Sequence, residues 1–265
     1  MMSKISKFIE KGHLIKLFLF FRSVLRNLYI PIKQLISKEK IRSKYGILFK
    51  KNWPDLTFIF YINASYGYYY WDRISSMPRK FIFVDIGANQ GLYTICAAKN
   101  KFCKRVYAFE PVKKTFSFLK ENTSINEVNH KCNLINKGIS DKSEIMNLSL
   151  IKNHSGAANI RSNRINNNCE KREKIDLINF QELNKLFKCL DDIPLIVKID
   201  VEGHEEKVIK TLILSDFINN IMEIFYEVDE KWIDPINLKN LLISKGFSKF
   251  TKIGRDKHYD VLAQR

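Results

Sequence analysis

Residues 81–91, FIFVDIGANQG, constrain this chain more than any other stretch. An apolar, β-prone run reaches a carboxylate, Asp85, and then turns through Gly87 and Gly91 with Asn89 between them. A short apolar run bounded by glycines reads as a buried strand. LYTICAAKN follows with helical spacing, and KRVYAFEP is the next strand, stopped by Pro111. VKKTFSFLKENTSIN reads as a helix, CNLINKGIS as a strand and turn, and EIMNLSLI as a strand. The alternation resumes with the short helix QELNKLF, the strand PLIVKIDVEG, the helix EEKVIKTLIL and the strand NIMEIFYEVDE. A helix in NLKNLLISKG and strands in FSKFTKI and YDVLAQR complete it. Strand alternating with helix predicts an α/β fold: a mostly parallel sheet with helices on both faces. Residues 55–75, rich in aromatics, read as one or two strands with a turn at Gly67. The polar, Asn-rich residues 152–172 read as a long loop.

Ligands of such sheets bind outside the carboxyl ends of the strands. The loop Gly87-Ala-Asn-Gln-Gly91 is not the Gly-x-Gly-x-x-Gly of dinucleotide binding. A carboxylate just before it suits an ammonium group better than a pyrophosphate. Glu110 ends the next strand, at about the 20-residue spacing where an acidic side chain accepts from ribose hydroxyls. The two strand ends together ask for a ribose joined to an amino-acid zwitterion without pyrophosphate. S-adenosylmethionine has that chemistry. The bland alternative is that the glycines only turn the chain and Glu110 only caps a helix.

The blocks VDIGANQGLYT, VYAFEPV, KGISDKSE, SGAANI, VKIDVEGHE and EVDEKW, in this order, resemble the FkbM-type family of S-adenosylmethionine-dependent methyltransferases. The resemblance covers about residues 60–250. It implies a class I, Rossmann-like methyltransferase fold and O-methylation of hydroxyls on sugars, glycans or glycolipids. It also implies roles for named positions: Asp85, Gly87, Asn89 and Gly91 at the methionine end, Glu110 at the ribose, and Ser140 and Asp141 near the adenine.

Methyl transfer to an alcohol needs positioning and removal of a proton, by a general base or by a metal that acidifies the hydroxyl. KIDVEGHEE supplies the candidates Asp200, Glu202 and His204. Asp200 and Glu202 share a side if the strand runs that far. His204 is a candidate base, because an imidazole can accept a proton near neutral pH; its competing reading is a polar residue on the first turn of the next helix. Glu205 and Glu206 fit a helix N-terminus. Asp200 with Glu227 is the candidate pair for a divalent cation and a sugar diol.

Formal net charge is +17, and 13 Lys or Arg stand against Glu10 and Glu39 in residues 1–52. Residues 1–54 read as a basic, helical, amphipathic extension and residues 55–265 as the methyltransferase domain. In the extension Leu14, Phe18, Phe21, Leu25, Leu28, Ile32 and Leu35 recur at steps of three and four. Such a stripe fits an anionic membrane surface, the chain's own domain or a second subunit. Lys16, Arg22, Arg26 and Pro31 interrupt it, so it does not read as a membrane span, and no signal-peptide cleavage pattern follows. Five irregularly spaced cysteines give neither a disulfide framework nor a zinc pattern. The expected setting is the cytoplasm, with peripheral contact on the inner face of the membrane through residues 1–40. The expected partner is a carbohydrate or glycolipid acceptor. A nucleic-acid methyltransferase is the enzymatic rival, disfavoured because the six prolines form neither an (Asp/Asn)-Pro-Pro-aromatic element nor a Pro-Cys pair. A membrane-associated scaffold with a vestigial methyltransferase fold is the non-catalytic rival.

Overall fold

The computed structural model describes residues 29–159, 169–188 and 193–265. Residues 29–36 are helical. The hairpin β1 (Lys40–Arg42) and β2 (Leu48–Lys50) comes next, then helices α1 (Leu56–Asn63) and α2 (Tyr68–Ser75). The central alternation is β3 (Phe81–Ile86), α3 (Leu92–Lys99), β4 (Cys103–Phe109), α4 (Lys113–Ile125) and β5 (Cys132–Ile135). Four strands of a second sheet follow: β6 (Gly138–Ile139), β7 (Glu144–Ile151), β8 (His154–Asn159) and β9 (Cys169–Ile178). The chain then runs through α5 (Phe180–Leu186), β10 (Leu195–Ile199), α6 (Glu205–Ile213), β11 (Ile221–Asp229), α7 (Pro235–Ile243), β12 (Lys249–Ile253) and β13 (His258–Gln264).

β3 is buried along its whole length, which an apolar run flanked by parallel partners demands. It pairs in parallel with β4 on one side and β10 on the other. The main sheet has seven strands in the order β12-β13-β11-β10-β3-β4-β5. β13 runs antiparallel to both its neighbours. Strand alternation sorts β3 between two cores: Ile82, Val84 and Ile86 pack with α5, α6 and α7, whereas Phe81 and Phe83 pack with α1, α2 and α3. The strand order reverses across β3 and β10, so their carboxyl ends open a crevice. This is the class I methyltransferase arrangement expected from the sequence.

Two expectations about elements fail. Residues 55–75 are the helices α1 and α2, not strands. Asp55 caps α1 by accepting from Phe58 N, and the buried Thr57, Phe58, Tyr61 and Ile62 recur at helical spacing. Aromatic β-propensity loses there to one-sided burial. The expected turn at Gly67 is present, with φ 77 at the start of α2. Residues 152–172 are not simply a loop: β8 and the start of β9 form a sheet in the order β6-β9-β7-β8. Residues 160–168 lie outside the described residues.

Residues 1–28, and with them the first five members of the amphipathic stripe, also lie outside the described residues. The hairpin that follows is built into the body. Ile47, Phe49 and Trp53 are buried in one cluster with Phe58 and Phe83. Asn122 of α4 and Asn126, which caps its C-terminus, satisfy the β2 backbone: their Oδ1 atoms accept from Lys50 N at 2.8 Å and Leu48 N at 3.0 Å respectively. Among the described residues no helix is long and apolar enough to cross a membrane.

Candidate active site

The loop after β3 is shaped by close backbone approach. Gly87 has φ 77, and a Cβ there would lie 1.9 Å from the carbonyl oxygen of Asp200. Only glycine fits. Asn89 is also left-handed, at φ 49. Its N–H donates to Glu110 Oε2 at 3.0 Å, and Glu110 Oε1 accepts from Val112 N at 2.9 Å. Burial pushes the Glu110 carboxyl up to about 7 even against those two donors. Gly91 starts α3, where a Cβ would meet Leu119 Cδ1 at 2.7 Å.

Asp85 sits behind this loop rather than in the cavity beside it. It is fully buried, and its Oδ2 accepts from Thr94 Oγ1 at 2.6 Å. Lys198 Nζ lies 3.4 Å from Asp85 Oδ1 and 3.6 Å from Asp200 Oδ2, and donates to Gly87 O at 2.7 Å. Burial depresses the Lys198 ammonium, but Asp200 and Asp85 outweigh it and hold the pKa above the ordinary lysine value. The cation that compensates both strand-end carboxylates is therefore internal. The signal was in the sequence: one lysine in the otherwise apolar LIVKI, which parallel pairing sets opposite Asp85.

β10 ends at Ile199, so Asp200 and Glu202 do not continue a strand. Glu202 and Gly203 are both left-handed, with φ 52 and 92. That turn still brings carboxylate oxygens of Asp200, Glu202 and Glu227 within 4.8 Å of one another. These have the donor chemistry of a hard cation as well as of a base. Burial, then Asp200 and Glu227, push Glu202 up to about 9. Burial and Asp200 push Glu227 to about 7, although His258 Nε2 lies 2.6 Å from its Oε1. Asp260 of β13 rises to about 7 for the same two causes. Asp200 Oδ2 accepts from Tyr66 Oη at 2.8 Å. His204 is buried, with Nε2 2.9 Å from Ser140 Oγ, and Ser140 in turn donates to Asp141 Oδ1 at 2.8 Å.

One cavity joins both regions. Gly87, Asn89 and Glu110 line one part; Asp200, Glu202, His204, Glu227 and Tyr66 line another. Val112, Gly138, Ile139, Leu148, Ile175 and Leu177 form an apolar wall. Asp85, Gly91, Ser140 and Asp141 are not in the lining, so the wall beside Glu110 is made by Gly138 and Ile139 instead. Asp141 faces outward and pairs with Lys207 at 3.3 Å.

A family model for the FkbM methyltransferase domain matches residues 85–249. The chain belongs to this family of S-adenosylmethionine-dependent methyltransferases. A search of curated protein sequences returned no match. Among solved structures, an FkbM methyltransferase from Methylobacillus flagellatus KT is 14% identical with a TM-score of 0.49, over 78% of this chain and 52% of that one. TYW2 of M. jannaschii, in complex with AdoMet, is 18% identical with a TM-score of 0.44, over 86% of this chain and 85% of that one. TrmK of M. capricolum, in complex with S-adenosyl-homocysteine, is 15% identical with a TM-score of 0.45, over 74% and 66%.

The FkbM match begins at Asp85, yet part of the cavity is supplied upstream of it. Thr57, Phe60, Tyr61 and Tyr66 of the α1–α2 region line it. Asp55 ties that region to the second sheet: its carboxylate accepts from Ser155 N, Ser155 Oγ and Gln90 Nε2 at 3.0, 3.1 and 3.2 Å. Ser155 Oγ also lies 3.0 Å from Asn89 Oδ1, a second acceptor for its one proton. Sequence reasoning passed over Tyr66 and Asp55 because their partners are 134 and 100 positions away.

Proposed function

We propose that the protein is an S-adenosylmethionine-dependent O-methyltransferase whose acceptor is a neutral sugar hydroxyl on a glycan or glycolipid. The observation that carries this reading is the character of the cavity's second region. Asp200, Glu202 and Glu227 converge there, and no Lys or Arg is among the described lining residues. A polyanion such as RNA would find no Lys or Arg among the described lining residues to pair with its phosphates, whereas a polyhydroxyl compound finds partners for its O–H groups. In this assignment the Gly87–Gly91 backbone and Asn89 receive the methionine end, and Glu110 accepts from the ribose. Asp85 acts indirectly, fixing the loop through Thr94 and through Lys198 on Gly87 O. Ser140 and Asp141 act through His204 and Lys207 rather than on the adenine, which packs against the apolar wall.

The sulfonium already activates the methyl group, so the protein aligns the hydroxyl and removes its proton. Asp200, oriented by Tyr66, positions that hydroxyl. The carboxylate cluster of Asp200, Glu202 and Glu227 takes the proton, and His204 holds the turn that carries Glu202.

Calorimetry with S-adenosylmethionine and S-adenosylhomocysteine, followed by labelled-methyl transfer to sugar, glycolipid and RNA fractions, tests the reading. Binding should weaken at least about tenfold in Glu110→Ala, which loses two charge-assisted bonds. Asp200→Asn should keep cofactor affinity and lose turnover. Label in RNA alone would replace the acceptor; absence of any cofactor heat would make the protein the non-catalytic scaffold. Loss of turnover on chelation, restored by Mg²⁺, would turn the carboxylates from a base into a cation site.

A further inference from the structure

Residues 29–36 form a helix whose polar face, not its apolar face, holds it to the protein. Ile30 packs on the core, and Lys33 Nζ lies 3.7 Å from the centroid of the Trp53 ring. Gln34 Oε1 accepts from Trp53 N at 2.9 Å, and Ser37 Oγ accepts from Trp53 Nε1 at 2.8 Å. Positions 30, 33, 34 and 37 make one helical face, and it is turned inward. Tyr29, Ile32, Leu35 and Ile36 lie on the other side and are exposed at 59%, 54%, 81% and 75%. A helix that packs on its own domain shows the reverse polarity. Four large apolar side chains left together on one exposed face mark a contact surface.

We infer that this face seats the protein on an anionic lipid bilayer. Charge selects that occupant. Lys38, Lys40, Arg42 and Lys44 are exposed close by, and residues 1–52 carry 13 cations against two carboxylates. A second copy of this chain would bring like charges together, whereas anionic headgroups neutralise them. The apolar side chains enter the boundary between headgroups and acyl chains while the lysines stay at headgroup level. Ile32 and Leu35 also continue the sequence stripe Leu14, Phe18, Phe21, Leu25 and Leu28, so the face extends a longer apolar pattern. Trp53, the anchor of the helix, precedes Asp55, which holds Ser155 at the cavity edge. The inference stands whatever the acceptor proves to be.

The test uses the full chain with vesicles of neutral phosphatidylcholine and with vesicles carrying about 30% phosphatidylglycerol. Flotation should recover the protein with the anionic vesicles only, and added salt should release it. The variant Ile32→Glu/Leu35→Glu/Ile36→Glu, altered only at exposed positions, should bind those vesicles at least about tenfold more weakly while keeping its Tm and cofactor affinity. Lack of binding to anionic vesicles overturns the inference, as does unchanged binding of the variant. A lipid-free dimer that the variant abolishes overturns it too, since a second copy would then cover the face.

Discussion

At the scale of single residues, Lys198 carries more than any side chain singled out from sequence. It is 3% exposed and stands between Asp85 and Asp200, with Gly87 O as its third partner. Replacing it by methionine keeps the length and removes the charge. Two carboxylates would then share one low-dielectric site, and breaking such a buried arrangement costs about 3–5 kcal/mol. The sign of the pH effect follows. Protonation relieves carboxylates that have lost their cation, so the folded variant takes up protons that the wild type does not. Its stability deficit should shrink as pH falls. Urea melts of Lys198→Met and wild type at about pH 8 and about pH 5 check this, and equal deficits at both would rule out electrostatic compensation as the role of Lys198.

At the scale of elements, the seam between α1, β8 and the glycine loop decides how firmly the cavity is covered. Asp55 performs two jobs there. It caps α1, a contribution of about 1 kcal/mol, and it receives Ser155 from β8. Asp55→Ala removes both, and Ser155 keeps only its bonds to Asn89 and Gln90. Hydrogen exchange should rise across residues 154–159 while β3 stays protected, and the cofactor should leave about five- to tenfold faster. Asp55→Asn, which retains a cap, should fall between. Unchanged exchange in 154–159 would mean that β8 is held by its pairing with β7 alone. The same seam shows where sequence reading stops. β3, β4, β10 and β11 were legible because buried parallel strands read as unbroken apolar runs, and the helices between them keep helical spacing. Glu110 and Asp200 were legible because each ends such a strand. α1 and α2 were misread because their Phe, Tyr and Ile carry β-propensity that burial overrode. β8 was misread because its small and polar residues become a strand only by pairing with β7. Nothing local in YINASYG announces that Tyr66 reaches Asp200.

Across the whole molecule, charge is divided. The chain is strongly basic, yet Asp200 and Glu202 after β10 and Glu227 on β11 meet at one region of the cavity, and Glu205 on α6 and Asp260 on β13, outside its lining, interact with them electrostatically. Burial and mutual repulsion lift Glu202 to about 9 and Glu205, Glu227 and Asp260 to about 7. Such a group gives up protons in shared steps that belong to the cluster and not to any one member. A cluster that serves as the base works only after losing a proton. Activity should therefore climb with pH across the range from about 7 to about 9, rather than sit level above pH 5 as an ordinary carboxylate base would. The cofactor adds a second, separable effect. Held as proposed, its sulfonium would bring a positive charge to the same cavity and favour the ionised form, lowering the apparent pKa by about one unit or more. kcat/KM for the acceptor, measured with free enzyme and subsaturating cofactor, reports the unliganded cluster; kcat at saturation reports the complex. The kcat profile should therefore lie to the acid side of the kcat/KM profile, and Glu202→Gln should remove the higher-pH limb of both. Coincident profiles, flat between pH 6 and 9 on that same scale of about one unit, would remove the carboxylate cluster from the proton-transfer step and leave alignment of the hydroxyl as its whole contribution.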